Sequence, residues 1–157
     1  MKAITLWQPW ASLIACGAKK YETRSWATRY RGPIAIHAAK RDPVNLPYHI
    51  QVEINPILLE HYSLWENLPR GAVVAIAELV ECWEMTDIGH VVDGSTAAHI
   101  VGGIYGGKAD IISGKEILFG DWRPGRFAWE LANVQMLPEP MPAKGRQGLW
   151  NWEGKSL

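Results

Sequence analysis

Cysteine is scarce in this sequence, and its scarcity excludes two classes of protein at once. Cys16 and Cys82 belong to no spaced set with histidines, so they can build neither a disulfide-stapled secreted scaffold nor a structural zinc site. They read as core thiols in a reducing, cytoplasmic compartment. His37, His49, His61, His90 and His99 follow no metal-ligand spacing, and no H-E-x-x-H is present, so no metal is expected. No apolar run approaches the ~18 residues that a membrane-spanning helix needs. Residues 1–17 lack the basic start and small-residue end of a secretory signal. Net charge is missing too, because 16 basic groups balance 16 acidic ones. That removes the overall positive excess by which many nucleic-acid binders are recognised.

What is present fits one globular domain. The 157 residues are 48% hydrophobic and 20% charged, enough for a single core and too apolar for a disordered chain. The charge is unevenly laid out. Residues 19–41 carry Lys19, Lys20, Arg24, Arg29, Arg31, Lys40 and Arg41 against Glu22 alone, a net of +6. Residues 51–110 carry nine acids against Arg70 and Lys108, a net of −7. Either this asymmetry survives folding as a basic face that recruits phosphate, or the segments interleave and cancel.

Residues 2–6 read as a first strand. A helix then starts at Pro9, buries Trp10, Leu13 and Ile14 on one face, and stops at Gly17 in the left-handed position. Residues 21–25 alternate, so an extended backbone puts Glu22 and Arg24 on one side and Thr23 on the other. Residues 33–38 form a more buried strand around His37, which reads as a core histidine. Pro43, Pro47 and Pro56 should break any helix within 42–68 into pieces. Residues 72–83 suit a central strand, and 86–115 read as an irregular, glycine-rich insertion. Two further strands, 117–122 and 126–134, flank the turn Arg123-Pro124-Gly125. Five or six short strands with helices at the edges suit an α+β fold, a small and partly open β-barrel. Gly102-Gly103-Ile104-Tyr105-Gly106-Gly107-Lys108 nearly spells a phosphate-binding loop. It has Ala109 where a magnesium-binding hydroxyl belongs, so it reads as a plain loop.

The densest chemistry lies in Gly17-Ala18-Lys19-Lys20-Tyr21-Glu22-Thr23-Arg24, a G-x-K-x-x-E-x-R pattern placed where the first helix ends. Lys19 and Arg24 suit phosphate, and Glu22 suits the hydrogen-bonding edge of a base. The plainer reading is a solvated strand with an internal ion pair. Glu78, inside the apolar run Val74-Ala75-Ile76-Ala77-Glu78-Leu79-Val80, needs a partner if buried, and Lys19 or Arg24 could supply it. Tryptophan is abundant, with nine residues against two phenylalanines. Most should be core, and Trp26 and Trp122, beside polar turns, are the expected stacking platforms.

Together these segments resemble the ASCH (activating-signal-cointegrator homology) family. The resemblance rests on Trp7-Gln8-Pro9-Trp10-Ala11, the Gly17/Lys19/Glu22/Arg24 pattern, and Arg31-Gly32-Pro33-Ile34-Ala35-Ile36-His37-Ala38. It continues through Ala77-Glu78-Leu79-Val80 to Gly145-Arg146-Gln147-Gly148-Leu149-Trp150, so it runs from about residue 3 to residue 152. It implies a PUA-like fold occupying residues 1–157 as a single domain, with the insertions at 42–68 and 86–115. It also implies a nucleic-acid-binding function, RNA before DNA, without a cofactor. In that reading Lys19, Arg24 and Arg31 contact phosphate, Gln8 and Glu22 read base edges, and Trp26 or Trp122 stacks. Lys144, Arg146 and Gln147 add contacts from the closing segment. The alternative is a hydrolase of the same family, a ribonuclease or an amidohydrolase of N4-acylated cytidine, using Lys19, Glu22 and Glu78. The amidohydrolases carry a threonine three residues after the lysine, and Glu22 occupies that position here. A carboxylate cannot replace the hydroxyl nucleophile, so only phosphodiester cleavage by Glu22 with Glu78, aided by a divalent ion, stays open on that side.

Overall fold

The computed structural model describes residues 1–102 and 107–154, and these form eight strands and three α-helices. In order they are β1 (Lys2–Leu6), α1 (Trp10–Ala15), β2 (Tyr21–Arg24), β3 (Gly32–Ala38), α2 (Tyr48–Leu59), a 3-10 turn (Trp65–Asn67), β4 (Ala72–His90), β5 (Thr96–Gly102), β6 (Lys108–Ser113), α3 (Lys115–Leu118), β7 (Phe127–Pro142) and β8 (Leu149–Asn151). The fold is α+β, with PUA-like features. Hydrogen bonds link the strands in the order β2-β7-β4-β3-β1-β8, and β5 and β6 add on beside β4. The chain forms two compact units. One comprises Met1–Ala18, Pro33–Glu78 and Asn133–Leu157; the other comprises Lys19–Gly32 and Leu79–Ala132. Among the described residues no helix is long and apolar enough to cross a membrane.

In the first unit β1 runs parallel to β3, with Ala3 beside Ala35, and antiparallel to β8, with Ala3 opposite Trp150. Small residues at this crossing let Trp150 and Trp152 close over Ala3, Ala35, Val73 and Leu137. Helix α1 buries Ala11, Leu13 and Ile14, and Gly17 follows it at φ 82°, a left-handed position that favours glycine. His37 is buried in β3, with Nε2 3.0 Å from the Ala143 carbonyl and its ring edge-on to Trp150. Burial pushes its pKa down.

In the second unit β5 pairs antiparallel with β4 and with β6. Its core is Trp83, Met85, Ala98, Ile100, Ile112, Trp122 and Ala128, with Tyr21 and Ile117 packed against it.

Four expectations are corrected. Residues 86–115 are not an irregular insertion. They continue β4 to His90 and supply β5 and β6. A bulge between Met85 and Asp87 and the adjacent buried Ala97 and Ala98 hide the alternation from a linear reading. The near phosphate-loop sequence has residues 103–106 outside the described residues. Residues 117–122 form no strand. Gly114 at φ 70° turns the chain into the single helical turn of α3. Helix α2 is not broken at Pro56, which lies inside it. The one backbone bond that Pro56 cannot make falls on Val52, an exposed residue, so water can satisfy that carbonyl. Both cysteines are half-buried rather than core, and burial raises both thiol pKa values.

Strand β7 also outlasts its prolines. Pro138, Pro140 and Pro142 sit at alternate positions, so the N–H groups they lack all face one side. β2 pairs with β7 only across Phe127 to Glu130, which leaves that side without a β2 partner further on.

Candidate nucleic-acid interface

The G-x-K-x-x-E-x-R segment lies in the second unit, where β2 pairs antiparallel with the start of β7. Glu22 stands opposite Trp129 and Arg24 opposite Phe127. The alternation works as the sequence implies. Glu22 and Arg24 share one face, with Arg24 Nε 3.1 Å from Glu22 Oε1. Tyr21 and Thr23 take the other. Tyr21 meets Trp122 edge-on at 5.8 Å, and Thr23 Oγ1 accepts from the Asp121 N–H at 3.0 Å. Burial first, and then the neighbouring acids Glu130, Asp110 and Glu116, push the Tyr21 phenol up to about 12.

Lys19 lies beneath this face at 1% exposure. Its ammonium donates to the carbonyls of Tyr21 and of Phe119, the latter at 2.7 Å, and stands 3.7 Å from Glu22 Oε2. Burial lowers its pKa, and the carboxylates of Glu22 and Glu116 oppose that shift. Glu116 also staples the start of β2, accepting from the Lys20 and Tyr21 N–H groups at 3.0–3.1 Å. Glu22 is therefore held from below by Lys19 and from the side by Arg24, at 12% exposure beside an arginine at 24%. The surface offers one carboxylate oxygen pair and one planar guanidinium, side by side and oriented in advance.

Three expected contacts turn out otherwise. Gln8 is fully buried: its Nε2 donates to Ser12 Oγ and the Pro69 carbonyl, and its Oε1 accepts from the Ser12 N–H. It clamps α1 and has no face to offer a base. Trp122 is core at 3% exposure, its indole N–H donating to the Glu116 carbonyl at 3.2 Å. Arg31 is engaged internally. Nη1 donates to the Thr28 and Tyr30 carbonyls and Nη2 to Glu81, so the guanidinium locks the turn ahead of β3. Trp26 is half-buried, edge-on to Trp129 at 4.6 Å, and keeps part of its ring in solvent.

The remaining candidates fall in the first unit. Lys144, Arg146 and Gln147 are exposed ahead of β8. Glu78 is exposed as well and accepts from Asn133 Nδ2 at 2.9 Å, so it is not the buried acid of β4. That acid is Glu81, which the sequence reading missed. Burial alone would raise its carboxyl, but the Cys82 N–H and the Arg31 guanidinium outweigh it and hold the pKa below its ordinary value. Among the described residues no group of three or more His, Cys, Asp or Glu is placed to hold a metal.

The fold is α+β with PUA-like features, and its motif segment sets a buried lysine beside a Glu–Arg pair. Residues 4–141 match the family model of the ASCH domain, and the chain belongs to that family. An 80-residue stretch is 30% identical to activating signal cointegrator 1 of Homo sapiens, and to the same protein of Mus musculus. The matched stretch is 50% of this chain but only 14% of each relative, so the likeness concerns one part of those larger proteins.

Proposed function

We propose that this domain binds single-stranded nucleic acid, RNA in preference to DNA, through the Glu22–Arg24 face. The observation that carries the reading is the buried Lys19 beneath it. Taking an ammonium out of water costs several kcal/mol, and a hydrophobic residue of similar volume serves stability as well or better. Such groups concentrate where a ligand is held. Here the ammonium fixes a carboxylate whose other oxygen is fixed by Arg24. Glu22 then accepts from the amino edge of a base, Arg24 contacts a phosphate or base carbonyl, and the open part of Trp26 stacks. Membership of the ASCH family supports the same class of ligand. Lys144, Arg146 and Gln147 are proposed as accessory phosphate contacts. Binding of this kind requires no cofactor, and we place the protein in the cytoplasm.

The hydrolytic alternative is less well supported. A general base must reach the proton it abstracts, whereas Lys19 is buried at 1% exposure beneath Glu22, whose carboxylate 3.7 Å away favours the charged ammonium.

The test is anisotropy of a labelled single-stranded RNA, with the same samples run on a denaturing gel. Arg24→Ala should weaken binding about tenfold or more, the range of a lost charge-assisted contact. Glu22→Gln should change base preference and leave the RNA intact. Lys19 is the wrong residue to remove first, because two backbone carbonyls, that of Phe119 buried, would lose their donor. Wild-type affinity in Arg24→Ala would sink the assignment, and shortened RNA with the wild type would replace binding by cleavage.

A further inference from the structure

Among the nine tryptophans the one left most open is Trp7, and nothing in the motif accounts for it. It follows β1 in the first unit and is 51% exposed, even though the Arg41 guanidinium lies over its ring at 4.0 Å from the centroid. The pair is held firmly. Trp7 stands between Leu6 and Gln8, whose carbonyls accept from the Ala39 and Val44 N–H groups at 2.8 and 2.9 Å. The loop 39–44 is thereby pinned on both sides of the indole. Gln8 itself is clamped to Ser12 and Pro69. Lys40 and Arg41 are exposed at this loop, and its acid, Asp42, is ion-paired with Arg70. Loop and indole together present an aromatic face, a stacked guanidinium and a free ammonium, with the adjacent acid neutralised.

A surface cation–π pair contributes ~0.5–1 kcal/mol, too little to explain leaving half of so large an apolar group in water. Aromatic rings interleaved with cations are what single-stranded nucleic acid uses, one base stacked per ring and phosphates on the flanking charges. We propose that Trp7, Arg41 and Lys40 form a second nucleotide-binding platform, built from residues other than those of the Glu22–Arg24 face. One unpaired base stacks on the open side of Trp7, and Arg41 and Lys40 hold its flanking phosphates. This rests on the nucleic-acid reading above but uses different residues.

The experiment is an anisotropy titration of a labelled single-stranded RNA with wild type, Trp7→Ala, Trp7→Phe, Arg41→Ala and Arg24→Ala. It is repeated with an abasic oligonucleotide of the same length. Trp7→Ala should weaken RNA binding about tenfold, the size of one lost base stack, while Trp7→Phe keeps most of the affinity. Arg41→Ala, a change at an exposed side chain, should flatten the salt dependence by about 0.7 in log–log slope, one phosphate contact on a single strand. On the abasic probe Trp7→Ala and wild type should bind alike, which damage to the fold could not produce. Trp7→Ala binding RNA within twofold of wild type, with Arg24→Ala weakened, overturns the platform and leaves the motif site standing. A wild type that binds no RNA overturns both.

Discussion

Glu78 and Glu81 lie three positions apart on β4, and that odd spacing puts them on opposite faces. Ala77, Leu79, Trp83 and Met85 are buried at alternate positions, and Glu81 falls in their row while Glu78 does not. The parity was available in the sequence. An acid among large apolar residues of one face is the anomaly, and judging Glu78 by its immediate neighbours missed it. Glu81 has Arg31 as its partner, so Glu81→Gln should destabilise the protein by about 1–3 kcal/mol, the cost of a partly buried guanidinium losing its charged acceptor. The pH dependence has a definite sign. The folded-state pKa lies below the ordinary value of 4.5, so the pair's contribution is complete above that value. It disappears as pH falls through the folded-state pKa. Urea unfolding of both proteins at neutral and acid pH should show two stabilities that converge on acidification. A gap unchanged down to the lowest pH would mean that the carboxylate charge is not what matters.

Gly120 decides how the segment after α3 meets β2. A Cβ there would lie 2.6 Å from Thr23 Cγ2 and 3.0 Å from Thr23 Oγ1. Thr23 is β-branched, stiff at χ1, and already bonded to the Asp121 N–H, so it cannot give way cheaply. The close approach also sets the neighbouring Phe119 carbonyl over the Lys19 ammonium. Gly120→Ala should therefore cost about 1–3 kcal/mol by overpacking and weaken RNA binding with it, through a displaced Lys19. Thermal unfolding and the anisotropy assay check the two effects, and a variant of wild-type stability would show that the segment moves freely. This is an element that the sequence hid. β1, α1, β2 and β3 were legible because Pro9, the alternation of residues and Gly17 sit where local rules expect them. The segment 117–122 looked like a strand because Ile117, Leu118, Phe119 and Trp122 are apolar. They are held instead by one helical turn and a loop packed onto β2, a long-range contact without local signature. The motif's side-by-side Glu22 and Arg24 followed from strand parity. The burial of Lys19 did not, because the carbonyl of Phe119 lies 100 residues away.

Charge is segregated along the chain but not between the units. Lys19–Gly32 carries five basic groups and one acid, and Leu79–Ala132, in the same unit, carries four basic groups and eight acids. That unit is formally neutral, and so is the other, since the whole chain has no net charge. Each unit therefore carries no formal excess of either sign, and Arg31 with Glu81 is one place where the basic and acidic runs pair. A formally neutral unit adds no net positive charge for gathering phosphates, so affinity should come from placed contacts and from stacking. Salt dependence measures this directly, since log K falls with log salt by about 0.7 per phosphate neutralised on a single strand. With Arg24, Lys40, Arg41, Lys144 and Arg146 as the contacts, the slope should be about −3.5. Anisotropy titrations across a series of sodium chloride concentrations read it. A slope of about −5 or steeper would require some seven phosphates and a wide basic surface, and would overturn the picture of a few placed contacts. A slope of zero would remove the phosphate contacts altogether and leave a nucleoside-sized ligand held by stacking and by Glu22.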